Sequence, residues 1–406
     1  MNNPTVLITG AASGIGRATA DFFAEKNWRC ILVDCDEVKL HDLSKVLPSP
    51  SEGSHSFEWL DLTSTQDIEA LASRVPSLDA LINNAGITDS LNVPLVNQTE
   101  AHFKSLLKLN LQVPADLTLA LNASLKPGAH IVNVSSGAGL KAIPWRGAYS
   151  PSKAGLIAQT QALAKSRPDL CVTVLCPGFV RTDLVERLIA SGRLKVEAAV
   201  AKIPMGRMAA PAEMAAALYF LASSAAVPLS GQQICVDGGS SVFGGSQPYA
   251  TAAHVPRPWR TPMALNVKGA EVSDWLAPSN LTTETPYQAC LDLSLMSLKP
   301  AQALNQLRQI ATEFADQYKA QASLTVLIPL QSGESWQDAG HSAAIRMLIS
   351  SLACEWGPQS LRINALEIPT TMSACEVAPV VHFLAGASAQ YITGQTWVLN
   401  PTAKKT

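Results

Sequence analysis

Along the first 240 residues, short apolar runs rich in β-branched residues alternate with longer stretches whose apolar positions return every three or four residues. The runs are 5–9, 29–34, 78–84, 129–135, 170–176 and 233–236. They are nearly continuous in apolar residues, the mark of strands buried on both faces. A helical pattern fills about residues 15–26, between the first two. Such alternation predicts an α/β fold, a doubly wound parallel sheet with helices on both faces.

The pattern breaks near Asp237-Gly238-Gly239, and the residues that follow are rich in Gly, Ser, Ala and Pro and poor in charge. The chain thus divides into a module over 1–242, a linker over 243–262 and a shorter module over 263–406. The shorter module echoes the first. Its run 324–329 resembles 130–134, Ser332-Gly333 resembles Ser136-Gly137, and 361–366 resembles 171–176, with Pro369 soon after. Phe383-Leu384-Ala385 and Thr393-Gly394-Gln395 track Phe220-Leu221-Ala222 and Ser230-Gly231-Gln232. It reads as a truncated, degenerate α/β copy of the first module, too short to repeat it in full.

Composition narrows the function. With 47% hydrophobic and 15% charged residues, the 406-residue chain has the material for sizeable cores. A formal net charge of -2 removes the electrostatic case for binding nucleic acid or an anionic membrane surface. No uncharged apolar run approaches the length of a membrane span. Met1-Asn2-Asn3-Pro4 leads straight into the first run, without the basic and apolar segments of a secretory leader. The eight cysteines form no Cys-x-x-Cys pair, and several lie inside apolar runs, as reduced, buried thiols of a cytoplasmic protein would. The seven histidines show no metal-ligand spacing, so no metal is expected.

The candidate chemistry lies in the first module. Gly10, Gly14 and Gly16 follow a strand and open a helix, in the spacing Gly-x-x-x-Gly-x-Gly. Glycines there let the backbone turn sharply beside a pyrophosphate, and Ser13 and Ile15 complete the turn at the helix N-terminus. Asp34 ends the second run, where a carboxylate accepts hydrogen bonds from ribose hydroxyls and repels a 2′-phosphate. No cation stands at Ser13 or Cys35, so NAD is expected over NADP. Asp61-Leu62 ends another short apolar stretch, at the adenine edge.

Tyr149 and Lys153, at i and i+4, share one helix face thirteen residues beyond Ser136. A phenol titrates near 10. A cation beside it stabilises the phenolate, so that Tyr149 can accept an alcohol proton near neutral pH, with Ser136 orienting the substrate oxygen.

With Asn83-Asn84-Ala85-Gly86, Asn110 and Pro177-Gly178 standing in order around these residues, the chain over about residues 4–245 resembles the short-chain dehydrogenase/reductase family. The resemblance implies a Rossmann-like fold and a Ser136–Tyr149–Lys153 centre. It implies that Asn110 holds a water linking Lys153 to solvent, and that Lys153 also binds the nicotinamide ribose. Asn83, Ala85 and Gly86 would support the central strand and contact the cofactor, and a purely structural part for residues 83–86 stays open. Pro177, Gly178, Val180 and Thr182 would meet the nicotinamide end. Residues 182–208 would form a substrate lid, with an apolar set (Leu184, Val185, Leu188, Ile189) beside a basic one (Arg187, Arg193, Lys195). Leu140, Ile143 and Trp145 lie where the family's substrate pocket is lined, although Trp145 equally suits packing or an interface.

The expected activity is NAD-dependent interconversion of a secondary alcohol and a ketone. Oxidation of a cis-diol, reduction of a carrier-bound ketone, and a cofactor-sensing scaffold or regulatory protein are the alternatives. In the shorter module His341 stands where Tyr149 would fall and Ile345 where Lys153 would, so no catalysis or cofactor is expected there. Its retained segments, 300–320, 341–356 and 380–399, suggest a built-in pseudo-subunit. A homodimer would then mimic a tetramer.

Overall fold

The computed structural model describes residues 3–89, 91, 93–192, 194–269, 275, 285–330 and 335–401. Met1, Asn2, Arg193, Ser332 and Gly333, named above, lie outside them. The chain forms two compact units. The first comprises Met1–Arg187, Ala210–Ser224 and Ser230–Ile234, and the second Leu188–Ala209, Ala225–Leu229 and Cys235–Thr406.

The first sheet takes its strands from β1 (Thr5–Thr9), β2 (Arg29–Asp34), β3 (Ser56–Trp59), β4 (Leu78–Asn83), β5 (Leu125–Val134), β6 (Cys171–Pro177) and β7 (Gln233–Val236). Their order is β3-β2-β1-β4-β5-β6-β7. The pairings of β1 with β2 and β4, of β2 with β3, and of β5 with β4 and β6 are all parallel. β1, the interior of β2 and all of β6 are buried, as their unbroken apolar runs require. The connecting helices are α1 (Gly14–Glu25), α2 (Glu37–Val46), α3 (Thr65–Arg74), α4 (Glu100–Leu107), α5 (Val113–Ala120), α6 (Tyr149–Ser166), α7 (Asp183–Ala190), α8 (Val196–Val200) and α9 (Pro211–Leu221).

Each face has its own core. On one, α1 packs on α9 through Phe22 and Phe23, and Trp28 just beyond α1 joins them against Tyr219, with ring centroids 5.3 to 6.3 Å from that tyrosine. On the other, Ile68 and Leu71 of α3 and Val113 and Leu117 of α5 meet Leu7, Leu81 and Ile131 of the sheet. The order reverses between β1 and β4. Outside the carboxyl ends of the strands, that reversal opens the crevice in which such sheets hold a ligand.

The second unit carries its own five-stranded parallel sheet, built from β8 (Met263–Lys268), β9 (Tyr287–Asp292), β10 (Ala322–Pro329), β11 (Arg362–Ile368) and β12 (Thr396–Val398). Helix α10 (Pro300–Gln317) joins β9 to β10, α11 (Trp336–Trp356) joins β10 to β11, and α12 (Ala374–Ala385) joins β11 to β12. The order is β12-β11-β10-β9-β8, which runs one way throughout. It repeats the run β7-β6-β5-β4-β1 of the first sheet, without strands matching β2 and β3.

Arg362, which opens β11, is fully buried. Its guanidinium donates to the carbonyls of Leu384, Ala385, Gly386, Ala389 and Ile392 at 2.9 to 3.2 Å and to the Tyr287 hydroxyl at 3.0 Å. Three of those carbonyls belong to the end of α12 and its cap, where the helix dipole is negative and a cation is welcome. The segment read as a linker is held in place. Phe243 stacks edge-on to Tyr249 at 4.8 Å, and Arg257 exchanges two hydrogen bonds with the Gln390 side chain, of 2.9 and 2.7 Å. Of the cysteines, Cys35 and Cys375 are exposed and Cys354 half-buried, against the expectation of uniformly buried thiols; the other five are buried. Among the described residues no helix is long and apolar enough to cross a membrane.

Candidate active site

The turn from β1 into α1 has the geometry that its glycines predict. Gly10 and Gly14 take φ of 65° and 54°, in the left-handed region that side chains avoid. A Cβ on Gly16 would collide with the Gly10 carbonyl. Asn84, beyond β4, latches the turn by donating to the carbonyls of Thr9 at 2.9 Å and Gly10 at 3.1 Å, while the Thr9 hydroxyl accepts the N–H groups of Asn84 and Ala85. Helices α2, α3 and α4 are capped by the side chains of Asp36, Ser64 and Thr99. α1 is not: Ser13 makes no side-chain cap. Its first N–H groups are left to an outside acceptor, which suits the pyrophosphate of a dinucleotide.

The surrounding cleft, of about 420 Å³, is lined by Ala12, Ser13, Gly14, Arg17, Lys39 and Thr182 among others. Asp34 sits beside it, with one carboxylate oxygen accepting from Ala12 N–H at 2.9 Å and the other from Asp36 N–H at 3.0 Å. Thr182 approaches from the far side: a Cβ on Gly14 would lie 3.2 Å from its methyl group. Three cations on the cleft, Arg17, Lys39 and Arg181, were not anticipated from the sequence, and Arg181 pairs with Glu186 at 2.6 Å. Arg17 pairs with Asp21 at 3.4 Å and Lys39 with Asp36 at 2.5 Å. Arg17 and Lys39 are reached by a helical turn from a motif position rather than by standing at one.

The candidate catalytic side chains converge at the ends of β4 and β5. The Ser136 hydroxyl accepts from Ala138 N–H at 3.1 Å. Tyr149 opens α6, and burial raises its phenol above the ordinary value, opposed by a hydrogen bond with the Ser136 hydroxyl and by the charge of Arg146. One turn on, Lys153 is buried and donates to the Val134 carbonyl at 2.9 Å. Burial pulls its ammonium down to about 8, so it keeps its charge at neutral pH. The Arg146 charge also acts on the phenol, a contribution that the sequence did not signal.

Asn110 sits buried in a π-helical turn, Lys108–Gln112, between α4 and α5. Turns of this kind gather at functional sites. Its amide exchanges two 2.9 Å hydrogen bonds with the backbone of Ile87 and donates to the Ser152 hydroxyl at 3.2 Å. Gly86 lies between Asn110 and Lys153, and a Cβ there would come within 2.9 Å of Asn110 Oδ1 and 3.3 Å of Lys153 Nζ. Ser136 and Tyr149 thus meet through a hydrogen bond, and Asn110 and Lys153 flank Gly86.

Other expected positions separate. The buried Asn83 amide donates to Asn133 inside the sheet at 2.8 Å, a structural part, whereas Ala85 lies against Gly10 of the glycine turn and Gly86 between Asn110 and Lys153. Leu62 belongs to the core under α3 and α5. Asp61 is exposed and caps Thr63 through two 2.9 Å contacts. Pro177 and Val180 are buried at the end of β6, with Gly178 between them. Trp145 is 56% exposed with φ of 59°, an uncommon backbone for a bulky residue, and with Ile143 it marks an apolar rim beside Tyr149.

A buried carboxylate nearby gave no sequence signal. Asp89 accepts from Leu91 N–H at 2.7 Å and Gln98 Nε2 at 2.5 Å, and His102 stands 3.3 Å away. Burial opposes its charge, but these donors hold its carboxyl below the usual range. The Asp89 carbonyl accepts from Arg146, which ties this network to the loop that carries Tyr149. In the second unit Ile345 is 2% exposed, in the apolar core under α11, and His341 is half-exposed.

Residues 10–241 match the family model described as enoyl-(acyl carrier protein) reductase. An uncharacterized short-chain type dehydrogenase/reductase of Sinorhizobium fredii is 38% identical over 241 residues, 58% of this chain and 43% of that protein. The chain therefore spans less than half the length of that relative. A 3-oxoacyl-(acyl-carrier-protein) reductase of Rickettsia felis is 33% identical over 244 residues, 59% of this chain and 97% of that protein. The crystal structure of a short-chain dehydrogenase/reductase, glucose/ribitol dehydrogenase, from Brucella melitensis superposes with a TM-score of 0.55 at 26% identity, covering 59% of this chain and 97% of its own.

Proposed function

The chain belongs to the short-chain dehydrogenase/reductase family, and on that premise we propose that it is an NAD-dependent oxidoreductase interconverting a secondary alcohol and a ketone. The observation that carries the reading is the convergence of Ser136, Tyr149, Lys153 and Asn110 beside an uncapped helix N-terminus. A bound nicotinamide supplies the hydride acceptor or donor. Ser136 holds the reacting oxygen. Tyr149 takes the hydroxyl proton as the C–H hydride leaves, so the alcohol loses two electrons and two hydrogens, one as H⁺. Lys153 binds the ribose and biases Tyr149 toward phenolate, and Asn110 and Lys153 form the path by which that proton reaches solvent.

Asp34 supports NAD over NADP. Arg17 and Lys39 on the same cleft argue the other way, although each is paired with a carboxylate. The test is Asp34→Ser. Loss of the carboxylate is expected to erode preference for NAD at least tenfold, ~1.4 kcal/mol, read as the ratio of kcat/KM for the two cofactors. An unchanged ratio would show that Asp34 does not set it.

Activity itself is tested by NADH absorbance over a panel of secondary alcohols and cyclic diols, with acetoacetyl-CoA reduction run in parallel. The similarity to 3-oxoacyl-(acyl-carrier-protein) reductases favours that second, thioester-linked ketone reading. Turnover of an alcohol, but not of the thioester, favours the first. Silence throughout, with NAD still bound, favours a scaffold.

The second module is assigned no chemistry. What supports this is a sheet with no reversal of order among the described residues, and a buried Ile345 at the position aligned with Lys153. We assign it the part of a pseudo-subunit, two chains making four α/β units. Light scattering of the full-length protein should return twice the 43.0 kDa chain mass, and a monomer would overturn this part.

A further inference from the structure

The connection from β6 to α9, residues 178–210, leaves the sheet at the carboxyl ends of its strands and is too long to be a simple turn. Its two halves differ. α7 carries Leu184, Val185, Leu188 and Ile189 on one face at helical spacing, yet none of its residues is buried. The distal half is buried at Ala199, Val200, Ile203, Met205, Met208 and Ala209, and it belongs to the same compact unit as the C-terminal module.

Tyr391 ties that half down. Its hydroxyl donates to the Arg207 carbonyl at 2.8 Å, and the Arg207 guanidinium lies 4.7 Å from its ring centroid. Its own carbonyl accepts Gly238 N–H at 3.0 Å, and the Gly238 carbonyl accepts Met205 N–H at 3.1 Å. The side chain is 1% exposed. Gly357 lies so close to Pro204 that a Cβ would strike its carbonyl. The linker adds Tyr249 N–H on the Ala201 carbonyl at 3.0 Å and Ala252 N–H on that of Gly206 at 2.8 Å.

We propose that the second module is the anchor of a substrate-covering arm. It fixes residues 199–209 as a rigid base, α7 closes its apolar face on an apolar substrate, and Tyr391 is the positioning residue. The proposal rests on the oxidoreductase reading and deepens it by stating what sets substrate affinity. A loosened base adds an ordering cost to each closure, which weakens substrate binding and leaves the bound chemistry alone.

The test uses full-length wild type, Tyr391→Phe and Tyr391→Leu. Hydrogen exchange of peptides from 199–209 should speed at least tenfold in Tyr391→Leu and less in Tyr391→Phe, with peptides from 5–34 and 149–166 unchanged. The Kd for NAD, by calorimetry, should stay within about twofold, and KM for the best panel substrate should rise about tenfold with kcat nearly constant. Unchanged exchange over 199–209 overturns the anchor, and so does lost protection with an unmoved KM. A parallel rise in the Kd for NAD would mark a general loss of structure and overturn it as well. Wild type that turns over no substrate would count against the oxidoreductase reading alone, because the exchange comparison still decides whether Tyr391 fixes the base.

Discussion

Tyr149→Phe is expected to lower turnover about 10²–10⁴-fold while the Kd for NAD stays within about twofold. The substitution removes one oxygen. The ring, the helix start and the buried Lys153 remain, so what is lost is the proton transfer and the partner of Ser136. Single-turnover absorbance and calorimetry on the same preparation separate the two effects. The pH profile adds a sign. Burial raises this phenol, so it is protonated at neutral pH and deprotonates only in the alkaline range. Ketone reduction, which consumes the phenolic proton, should hold up to that range and then fall. Alcohol oxidation, which needs the phenolate, should rise with pH toward it. Neither trend should survive in the Phe variant. A Phe variant that keeps wild-type turnover would remove Tyr149 from the chemistry and with it the proposed mechanism.

The second large effect is on stability. Arg362→Met should destabilise the protein by about 3–5 kcal/mol, because it strips a buried cation from acceptors that have no access to water. Five backbone carbonyls and the Tyr287 hydroxyl lose their donor at once. Methionine matches the arginine stem in length and supplies no N–H, so packing loss is kept small and the polar loss isolated. Chemical denaturation monitored by tryptophan fluorescence, with Trp356 and Trp397 in this unit, reads the change. A loss under about 1 kcal/mol would mean that the carbonyls find other partners.

Much of this was legible in the chain. The runs at 5–9, 29–34 and 233–236 coincide with β1, β2 and β7, because a strand buried on both faces must be apolar throughout. β3 was hard to read: it holds Glu58, is half-buried, and ends two residues before Asp61. β8 and β9 were not singled out either, since a single strand pattern carries little without its glycine turn. At the site, spacing predicted that Tyr149 and Lys153 share a face and that the glycines let the backbone turn sharply. It did not reveal where the Lys153 ammonium points, because the Val134 carbonyl that receives it is nineteen positions away and identical in every sequence. Asp89 was invisible for a similar reason. An aspartate in a loop reads as solvated, and only folding sets Gln98, His102 and Leu91 around it. The division into modules at 242 follows composition, whereas the compact units follow contact, and the chain crosses between them several times.

The hydrogen bond from Tyr391 to Arg207 spans 184 positions. On the ribosome, where chains grow at about 5–20 residues per second, that separation is a delay of roughly 10–40 s. Every strand of the first sheet has emerged by residue 236, so the dinucleotide crevice has the material to form early in synthesis. Tyr391, the partner of Arg207, comes much later. For that interval a nascent chain would be competent to hold its cofactor and yet unable to close on anything else, and residues 199–209 would be the part of it that most needs a chaperone.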